Sequence, residues 1–415
     1  MSKIAIIIRA GRLNYKNVVT DLVKSLYKFG HPDRHKFNLY ISVDMKMRTL
    51  GREDFKLKEE IESKFESVRY IFDEDRQIIL SMINAYGIAC PRLAEIILLQ
   101  KPYGYQINSA LIYAISDGNE MALHFDDDQG FAIPIESSGA PLKWIYMDVV
   151  GWHICGLQRG ATVTTGPIAG SVSPIPQQIK TVIPEGIRRE LGQLFEHAHE
   201  FVGENTFLCP KYRILSKLER EKNELVNVPE QRGYRWISPA NMGINLQLPF
   251  PIFYNPKGGR GEDAFFAMSL DPGDTLFQIP SYIFHDPFLS YSEIYENKFP
   301  NYLTDEPVST KSINRFANAV LGWIKYMPLF LRIRFHDSPK HRKQVLKENR
   351  EIINRISIQL TDCLRCSQFL GMSACLDAYN QKVEIDYKNW LEVNSIWKKN
   401  ILPWLHEDHP KFNSP

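Results

Sequence analysis

Met121-Ala-Leu-His-Phe-Asp126-Asp127-Asp128-Gln-Gly130 is the stretch that decides the fold, because a short apolar run leads directly into three aspartates. An apolar run of this length that ends in turn residues predicts a buried strand. On an extended backbone Asp126 and Asp128 point to one side and Asp127 to the other. Adjacent carboxylates repel one another, and a divalent cation would remove that repulsion, since carboxylate oxygens are ligands that Mg²⁺ and Mn²⁺ prefer. An acidic surface turn is the alternative explanation.

The first part of the chain predicts a parallel sheet. Residues 3–8 read as a strand, 9–14 as a loop, Tyr15 as the start of an amphipathic helix, and 37–43 as a second strand that Asp44 ends. This order is typical of an α/β fold with a mostly parallel central sheet and helices on both faces. Ligands of such sheets bind beyond the carboxyl ends of the strands, so we expect the loop, Asp44 and the aspartates at one rim.

Further elements follow from periodicity and turn residues. They are a charged helix at 54–65, a strand at 68–72, a helix at 105–116, a strand at 142–149, a Gly/Ser/Thr/Pro-rich loop at 160–174 and a strand at 241–248. A long loop within a globular domain is often functional, so we expect the loop at 160–174 to take part in the function of the protein.

A second informative stretch spans residues 257–268. Three glycines free the backbone, and Glu262 and Asp263 then open an apolar helix. Carboxylates are favoured at the positive end of a helix dipole, which alone would explain both acids. An apolar strand further on ends in His285, which taken singly is as well explained by a hydrogen-bonded structural role.

Residues 305–415 read as a helical appendage to a domain of residues 1–304, with helices expected at 313–324, 345–375 and 390–404. The basic, aromatic stretch 323–347 has two explanations. A solvated helix face is the default for a run of charges. The alternative is a peripheral contact with anionic lipid at the inner face of a membrane, which would bring the protein to a lipid-linked ligand.

Composition excludes several classes of protein. The chain is 44% hydrophobic and 24% charged with a net charge of +2, so nothing suggests a nucleic-acid partner. The apolar run at the amino terminus is too short for a secretory signal, and no segment reaches the ~20 apolar residues of a membrane span. Six scattered cysteines fit free thiols in a reducing compartment. We therefore expect a cytoplasmic protein.

Four features, in this order along residues 1–300, resemble the GT-A fold glycosyltransferases that use nucleoside-diphosphate sugars, of the Asp-x-Asp, family-2-like type. They are a strand–loop–helix start with Asp44 ending the second strand, a helix carrying Asn108 shortly before Asp126-x-Asp128, Gly261-Glu262-Asp263 opening a helix, and the strand-terminal His285.

The resemblance implies a metal-dependent transfer of a sugar to a hydroxyl group of a carbohydrate or lipid-linked acceptor, as in cell-surface polysaccharide or glycoconjugate synthesis. It implies that Mn²⁺ or Mg²⁺ bridges the donor diphosphate, with Asp126, Asp128 and His285 as ligands. If the enzyme inverts, Asp263 would be the general base that deprotonates the acceptor hydroxyl, with Glu262 as the alternative. The resemblance leaves the stereochemical outcome open, because inverting and retaining members use the same metal site. The residues that would hold the nucleotide and sugar are Arg9, Gly11, Asn14, Asp44, Asn108, Asp126 and Asp127.

Two other functions stay open from the sequence. A nucleotidyltransferase on a similar sheet would attack the α-phosphate of a nucleotide, but its first loop would be glycine-rich with a lysine, whereas residues 9–14 hold one glycine and no lysine. A catalytically silent α/β scaffold that docks through its basic helices is the other. Mn²⁺-dependent binding of a nucleoside diphosphate would separate an enzyme from the scaffold.

Overall fold

Fifteen strands are seen in the computed structural model, which describes residues 1–44, 50–136, 141–171, 173–196, 204–216, 219, 221, 223–231 and 234–407. The strands are β1 (Lys3–Ala10), β2 (Lys36–Val43), β3 (Ser67–Ile71), β4 (Met121–Asp126), β5 (Gln129–Gly130), β6 (Ala132–Ile135), β7 (Lys143–Tyr146), β8 (Val163–Thr165), β9 (Ile168–Gly170), β10 (Val226–Asn227), β11 (Glu230–Gln231), β12 (Tyr234–Arg235), β13 (Asn241–Asn245), β14 (Leu276–Gln278) and β15 (Ile283–His285).

Helices connect the strands and form the carboxyl-terminal part of the described chain. They are α1 (Tyr15–Lys28), α2 (Glu59–Glu62), α3 (Asp73–Ala85), α4 (Pro91–Leu99), α5 (Gly104–Ser116), α6 (Val149–Gln158), α7 (Glu185–Glu196), α8 (Glu204–Leu208), α9 (Glu262–Met268), α10 (Thr310–Arg334), α11 (Pro339–Leu364), α12 (Met372–Gln381), α13 (Val383–Ile396) and α14 (Leu402–His406).

Eight of these strands form one sheet in the order β10-β14-β8-β13-β4-β1-β2-β3. Neighbours from β4 to β3 are parallel, β8 and β14 are parallel, and β13 runs antiparallel to both β4 and β8. The predicted fold class, a mostly parallel α/β sheet, is confirmed. The chain crosses from one side of β1 to the other between β3 and β4, and such a switch point is where open sheets bind ligands.

Apolar residues of β1 face both sides of the sheet, which explains its continuous apolar run. Ile4, Ile6 and Ile8 pack in one core with α1 and α6, whereas Ala5 and Ile7 pack in the other with α3, α4 and α5. All five are fully buried. Strand alternation thus supplies both cores from one segment.

The carboxyl-terminal helices pack on the second of these cores. Trp390, Trp397 and Trp404 recur every seven residues, about two helical turns, and so lie on one face. All three are buried in the core that also contains α4 and α5. The ring of Trp397 lies 5.7 Å from that of Phe250, a residue between β13 and α9. A domain boundary near residue 304 stays a prediction.

Several predicted elements differ from the structure in type or extent. The strand at 241–248 ends at Asn245, and the helix at 313–324 runs from Thr310 to Arg334. The helix at 54–65 is a 3-10 turn followed by α2, because Phe55 and Leu57, two residues apart, are both buried and break the helical period. The strand at 142–149 ends at Tyr146, and α6 begins at Val149. The loop at 160–174 contains β8 and β9. The helix at 345–375 stops at Leu364, because Arg365 adopts a left-handed φ of 51°.

The structure places the aromatic and basic side chains of the stretch 323–347, for which a peripheral membrane contact stays a prediction. Trp323, Tyr326 and Phe330 are buried on α10, and Trp323 and Tyr326 also line the cavity that is described below. Arg332 and Arg342 both pair with Glu384 of α13. None of the described helices combines the length and the apolar character that crossing a bilayer requires.

A buried arginine fixes the carboxyl ends of β2 and β3. Arg76 of α3 is fully buried, and its acceptors come from four segments of the chain. They are the Ser42 hydroxyl at 2.8 Å, the Val43 carbonyl at 3.1 Å, the Ile71 carbonyl at 3.3 Å, the Ser109 hydroxyl at 3.3 Å and the Asp73 carboxylate at 2.7 Å. This side chain therefore holds the backbone that leads into Asp44.

We expect Arg76→Met to lower the free energy of unfolding by about 3 kcal/mol, because buried acceptors lose their donor and cannot reach water. Urea unfolding with an unchanged m-value would measure this loss. The matched control is Arg189→Met on α7, which removes an exposed pair with Glu185 and should cost less than about 1 kcal/mol. Equal losses in the two variants would contradict the role of Arg76.

Candidate active site

A cavity of about 400 Å³ opens at the carboxyl ends of β1, β2 and β4. This volume is within the usual range for small-molecule sites. Its wall comes from both the sheet and the carboxyl-terminal helices. Charged and aromatic side chains of this wall include Arg9, Arg12, Asp44, Tyr103, Asp126, Asp127, Asp128, Trp236, Arg260, Glu262, Asp263, His285, Arg315, Trp323 and Tyr326.

Arg9 at the end of β1 joins two carboxylates that are far apart in sequence. Its Nε donates to Asp126 Oδ1 at 2.7 Å, and its Nη1 donates to Glu262 Oε1 at 2.7 Å. The guanidinium also lies over the Tyr103 ring, 5.2 Å from its centroid. Arg9 thus connects the end of β4 to the start of α9. Its Nε, Nη1 and Nη2 all contact protein carboxylates, and its predicted role in nucleotide binding stays a prediction.

Arg12 does the same for the other two aspartates. Its Nε donates to Asp127 Oδ1 at 3.0 Å, and its Nη2 donates to Asp128 Oδ2 at 2.6 Å. The backbone N–H of Gly11 adds a hydrogen bond of 2.9 Å to Asp127 Oδ2. From the sequence we expected a divalent cation to remove the repulsion among the three aspartates. In the structure Arg9 and Arg12 counter it, and Arg12 was not among the predicted site residues.

The predicted alternation of the three aspartates was wrong. It placed Asp126 and Asp128 on one side of an extended strand, but β4 ends at Asp126 and the next two residues form a turn. Asp127 and Asp128 therefore share Arg12, whereas Asp126 binds Arg9. The turn also brings the Asp128 carbonyl to the N–H of Asp286 at 2.9 Å.

His285 at the end of β15 faces Asp128. Its Nε2 lies 3.5 Å from Asp128 Oδ1, and its Nδ1 donates to the Ser171 carbonyl. That hydrogen bond orients the ring and directs Nε2 toward the carboxylate. Burial lowers the pKa of His285, but Asp128 outweighs burial and raises it. Asp128 and His285 together therefore favour a positive charge between them, either a proton on Nε2 or a cation that both side chains bind.

The three-ligand set Asp126, Asp128 and His285 is not assembled. Among the described residues, no three His, Cys, Asp or Glu side chains are placed to hold one ion. Asp128 and His285 nevertheless suit a site with two protein ligands, in which substrate phosphates and water complete the coordination of a hard cation. Imidazole beside a carboxylate fits Mn²⁺ better than Mg²⁺.

The charges of the cavity wall do not balance. Six carboxylates and four guanidinium groups line it, which leaves two more negative charges than positive ones. A diphosphate would be repelled by such a wall unless a cation came with it. The donor set and the charge of the cavity therefore both fit a divalent ion.

The structure separates the two acids that open α9. Glu262 is buried and bound to Arg9, so its carboxylate has a structural task. Asp263 lines the cavity, and burial followed by the charge of Glu262 raises its pKa to about 6. A carboxylate with a pKa near neutral pH is suited to accept a proton. Asp263 is the better candidate for a base.

Other predicted residues fall into two groups. Asp44 and Gly11 line the cavity. Asn14 and Asn108 instead support backbone: Asn14 donates to the Asp127 carbonyl at 2.8 Å, and Asn108 is buried in the core with bonds to the backbone N–H and carbonyl of Phe253. Asn108 does not line the cavity, and its amide is bonded to the backbone of Ile97 and Phe253, so a contact with the nucleotide stays a prediction without support from this geometry.

Several residues of the cavity wall were not predicted from the sequence. Tyr103, Trp236 and Arg260 follow no recognisable motif, and α10 supplies Arg315, Trp323 and Tyr326 from the region treated as an appendage. The helical period of α10 predicts which face is apolar, but a residue at the edge of that face can point to a core or to a cavity.

The sequence matches no protein-family model and no curated protein. The fold is similar to that of S. aureus TarS 1–349 in complex with UDP-GlcNAc, with 11% identity, a TM-score of 0.36, and coverage of 96% of this chain and 92% of that chain. For the complex of TarS 1–349 with UDP the identity is 11% and the TM-score 0.31, with coverage of 93% of this chain and 91% of that chain. For the mannosyltransferase Ktr4p from S. cerevisiae in complex with GDP the identity is 8% and the TM-score 0.23, with coverage of 59% of this chain and 57% of that chain. At these values the likeness carries no functional conclusion.

We expect Arg12→Gln to lower the free energy of unfolding by about 2 kcal/mol at pH 7, because two neighbouring carboxylates lose their shared cation. Burial raises the pKa of Asp127. For Asp128 burial acts in the same direction, but Arg12 and then His285 outweigh it and hold its pKa below the usual range.

The pH dependence has a definite sign. A carboxylate with a lowered folded-state pKa stabilises the fold above its unfolded pKa of about 3.9 and loses that effect as pH falls. Without Arg12 the folded-state pKa values rise, so the deficit of the variant should shrink from pH 7 to pH 5. Urea unfolding at both values measures it, with Arg12→Lys as the control that keeps a charge. A deficit that does not change with pH would contradict this explanation.

Proposed function

We propose that the protein is a metal-dependent glycosyltransferase of the GT-A fold type, which moves a sugar from a nucleoside-diphosphate sugar to a hydroxyl group. One observation carries the proposal. A single cavity at the switch point of a mostly parallel sheet contains the facing pair Asp128 and His285, and it also contains Asp263, a carboxylate with a pKa near 6. Asp128 and His285 suit a cation that carries a diphosphate, and Asp263 suits an acceptor hydroxyl group.

Asp128 and His285 would hold Mn²⁺ or Mg²⁺ between the protein and the donor diphosphate. When bound, the ion would neutralise the charge that develops on the departing nucleoside diphosphate. The protein contributes the orientation. Ser171 fixes the imidazole ring, and Arg12 fixes the carboxylate. A site prepared in this way needs little reorganisation when the donor binds.

The donor nucleoside would lie beside the ends of β1 and β2. Asp44 follows β2 directly and lines the cavity, so its carboxylate is placed to accept from ribose hydroxyl groups. The backbone at Gly11 forms the floor next to it. Arg9 and Asp126 are engaged with each other, and we assign them to the support of this floor and not to direct recognition of the base.

The acceptor would enter along the wall that contains Trp236, Trp323 and Tyr326. Aromatic rings offer flat apolar faces with polar edges, which suits the carbon face of a sugar ring. A carbohydrate or lipid-linked acceptor would place the reaction in polysaccharide or glycoconjugate synthesis. Asp263 would take the proton of the acceptor hydroxyl as its oxygen attacks the anomeric carbon. The bond from that carbon to the diphosphate oxygen breaks, and its electrons leave with the nucleoside diphosphate. This single displacement would invert the anomeric centre.

A donor screen tests the function directly. Purified protein with UDP-, GDP- or dTDP-sugars and Mn²⁺ should release the matching nucleoside diphosphate, and calorimetry should show binding of that product. We expect His285→Ala to weaken this Mn²⁺-dependent binding by at least about tenfold, because a ligand is lost. His336→Ala, which removes an exposed histidine after α10, is the control. Release of pyrophosphate would indicate nucleotidyl transfer, and absence of any binding would favour the silent scaffold.

The raised pKa of Asp263 predicts how kcat/KM depends on pH. Since the base acts when deprotonated and its pKa is about 6, kcat/KM should rise with pH through about 6 and then level. Asp263→Asn should lower kcat by about 10²- to 10⁴-fold and leave binding of the nucleoside diphosphate unchanged.

Rates measured from pH 5 to 8 check both points. Asp274→Asn, in the loop before β14, removes an acid outside the cavity wall and should behave as the wild type. An unchanged kcat in Asp263→Asn would remove this residue from the mechanism.

A further inference from the structure

The four guanidinium groups in the cavity wall are not equivalent. Arg9 and Arg12 each bridge two carboxylates. Arg260 donates to the Tyr103 hydroxyl at 3.3 Å. Within the described residues Arg315 has no carboxylate partner, and the contact that the structure gives it is with the Phe288 ring, 5.5 Å from the centroid. Arg315 is therefore a cavity cation that no carboxylate of the described residues pairs with directly.

The surroundings of Arg315 are unfavourable for a cation. Its pKa is lowered, first by burial and then by the positive charge of Arg12, and the nearby Asp128 and Asp127 do not reverse this. Both aspartates already share Arg12. A half-buried charge without a counter-ion is costly, and an anionic ligand beside it would offset that cost.

The position of Arg315 is fixed by its helix. It is the sixth residue of α10, whose start is capped by the Ser309 hydroxyl accepting from the N–H of Ser312. The next residue, Phe316, is fully buried in the core. The backbone of Arg315 is thus anchored on both sides, while its side chain reaches the cavity.

The geometry points to a ligand for Arg315. Its guanidinium lies over the ring of Phe288, three residues after His285, and Arg12 donates to the carbonyl of the adjacent Pro287, so Arg315 lies on the side of the cavity where Asp128 faces His285. We propose that Arg315 binds the diphosphate of the nucleotide-sugar donor and stabilises the charge on the departing nucleoside diphosphate. This inference rests on the proposed function and extends it, since the carboxyl-terminal helices then supply part of the donor site.

A guanidinium is well suited to this task. Its planar fork presents parallel N–H groups that match two phosphate oxygens, and it stays charged at any working pH. As the bond between the anomeric carbon and the diphosphate oxygen breaks, the electron pair moves onto that oxygen. Arg315 would donate hydrogen bonds to the diphosphate as this charge grows, so it would act on the leaving group while Asp263 acts on the acceptor.

The test compares ligands with and without phosphate. Calorimetry with Mn²⁺ would use UDP or GDP, whichever the wild type binds, and competition against that complex would measure uridine or guanosine. Arg315→Gln should weaken binding of the nucleoside diphosphate by about 10- to 100-fold and leave binding of the nucleoside unchanged. Arg315→Lys should bind the nucleoside diphosphate with an affinity between those of Arg315→Gln and the wild type, because lysine keeps the charge but lacks the planar guanidinium fork. Lys311→Gln, an exposed residue one turn earlier on α10, is the matched control and should bind as the wild type.

Each outcome is informative. Equal binding of the diphosphate by Arg315→Gln and the wild type would overturn this inference and leave the proposed function intact. A parallel loss of nucleoside binding, or a lowered melting temperature in both Arg315 variants, would show that Arg315 is structural and would also overturn it. A wild type that binds neither UDP nor GDP would overturn both proposals together.

Discussion

Four carboxylates meet where the end of β4 approaches the start of α9, and two guanidinium groups make that meeting tolerable. Each arginine serves two acids: Arg9 binds Asp126 and Glu262, and Arg12 binds Asp127 and Asp128. Because every one of these acids is buried or nearly so, leaving any of them unpaired would cost several kcal/mol. The ion pairs therefore tie together three segments that are more than 100 residues apart, and the shape of the cavity follows from them.

This arrangement divides the aspartate triplet into supporting and functional members. Both oxygens of Asp127 accept from Arg12 or from the Gly11 N–H, and Asp126 binds Arg9 through Oδ1, whereas Asp128 keeps one oxygen toward His285. A cation site with two protein ligands is weak by itself, so a divalent ion and a diphosphate would reinforce each other when they bind together. The excess of negative charge in the wall acts in the same direction, since it disfavours a diphosphate that arrives without its ion.

Sequence reasoning was most accurate where backbone pattern alone determines position. The strands that lead to Asp44, to the triplet and to His285 were predicted. Asp44 and the triplet follow parallel strands of one sheet and so had to lie at one rim, whereas His285 ends β15, which pairs with β5 and β9 outside that sheet. It failed where side chains choose partners across the fold. Nothing local distinguishes Arg9 or Arg12 from a solvent-exposed arginine, and β8 and β9 are three residues each, too short for a periodicity to appear.

The carboxyl-terminal helices are better understood as a wall of the site than as an accessory, and two glycines show why. Gly261, directly before Glu262, has a φ of 92°, which favours glycine, and a Cβ there would lie 3.0 Å from the ring of Tyr326 on α10. On α10 itself, a Cβ at Gly322 would lie 2.5 Å from the Cδ of Arg260. The turn that opens α9 and the middle of α10 are therefore in mutual contact with no room for a further methyl group on either. Because Glu262 and Asp263 follow this turn immediately, the seating of α10 determines where the candidate base stands relative to the rim of the sheet.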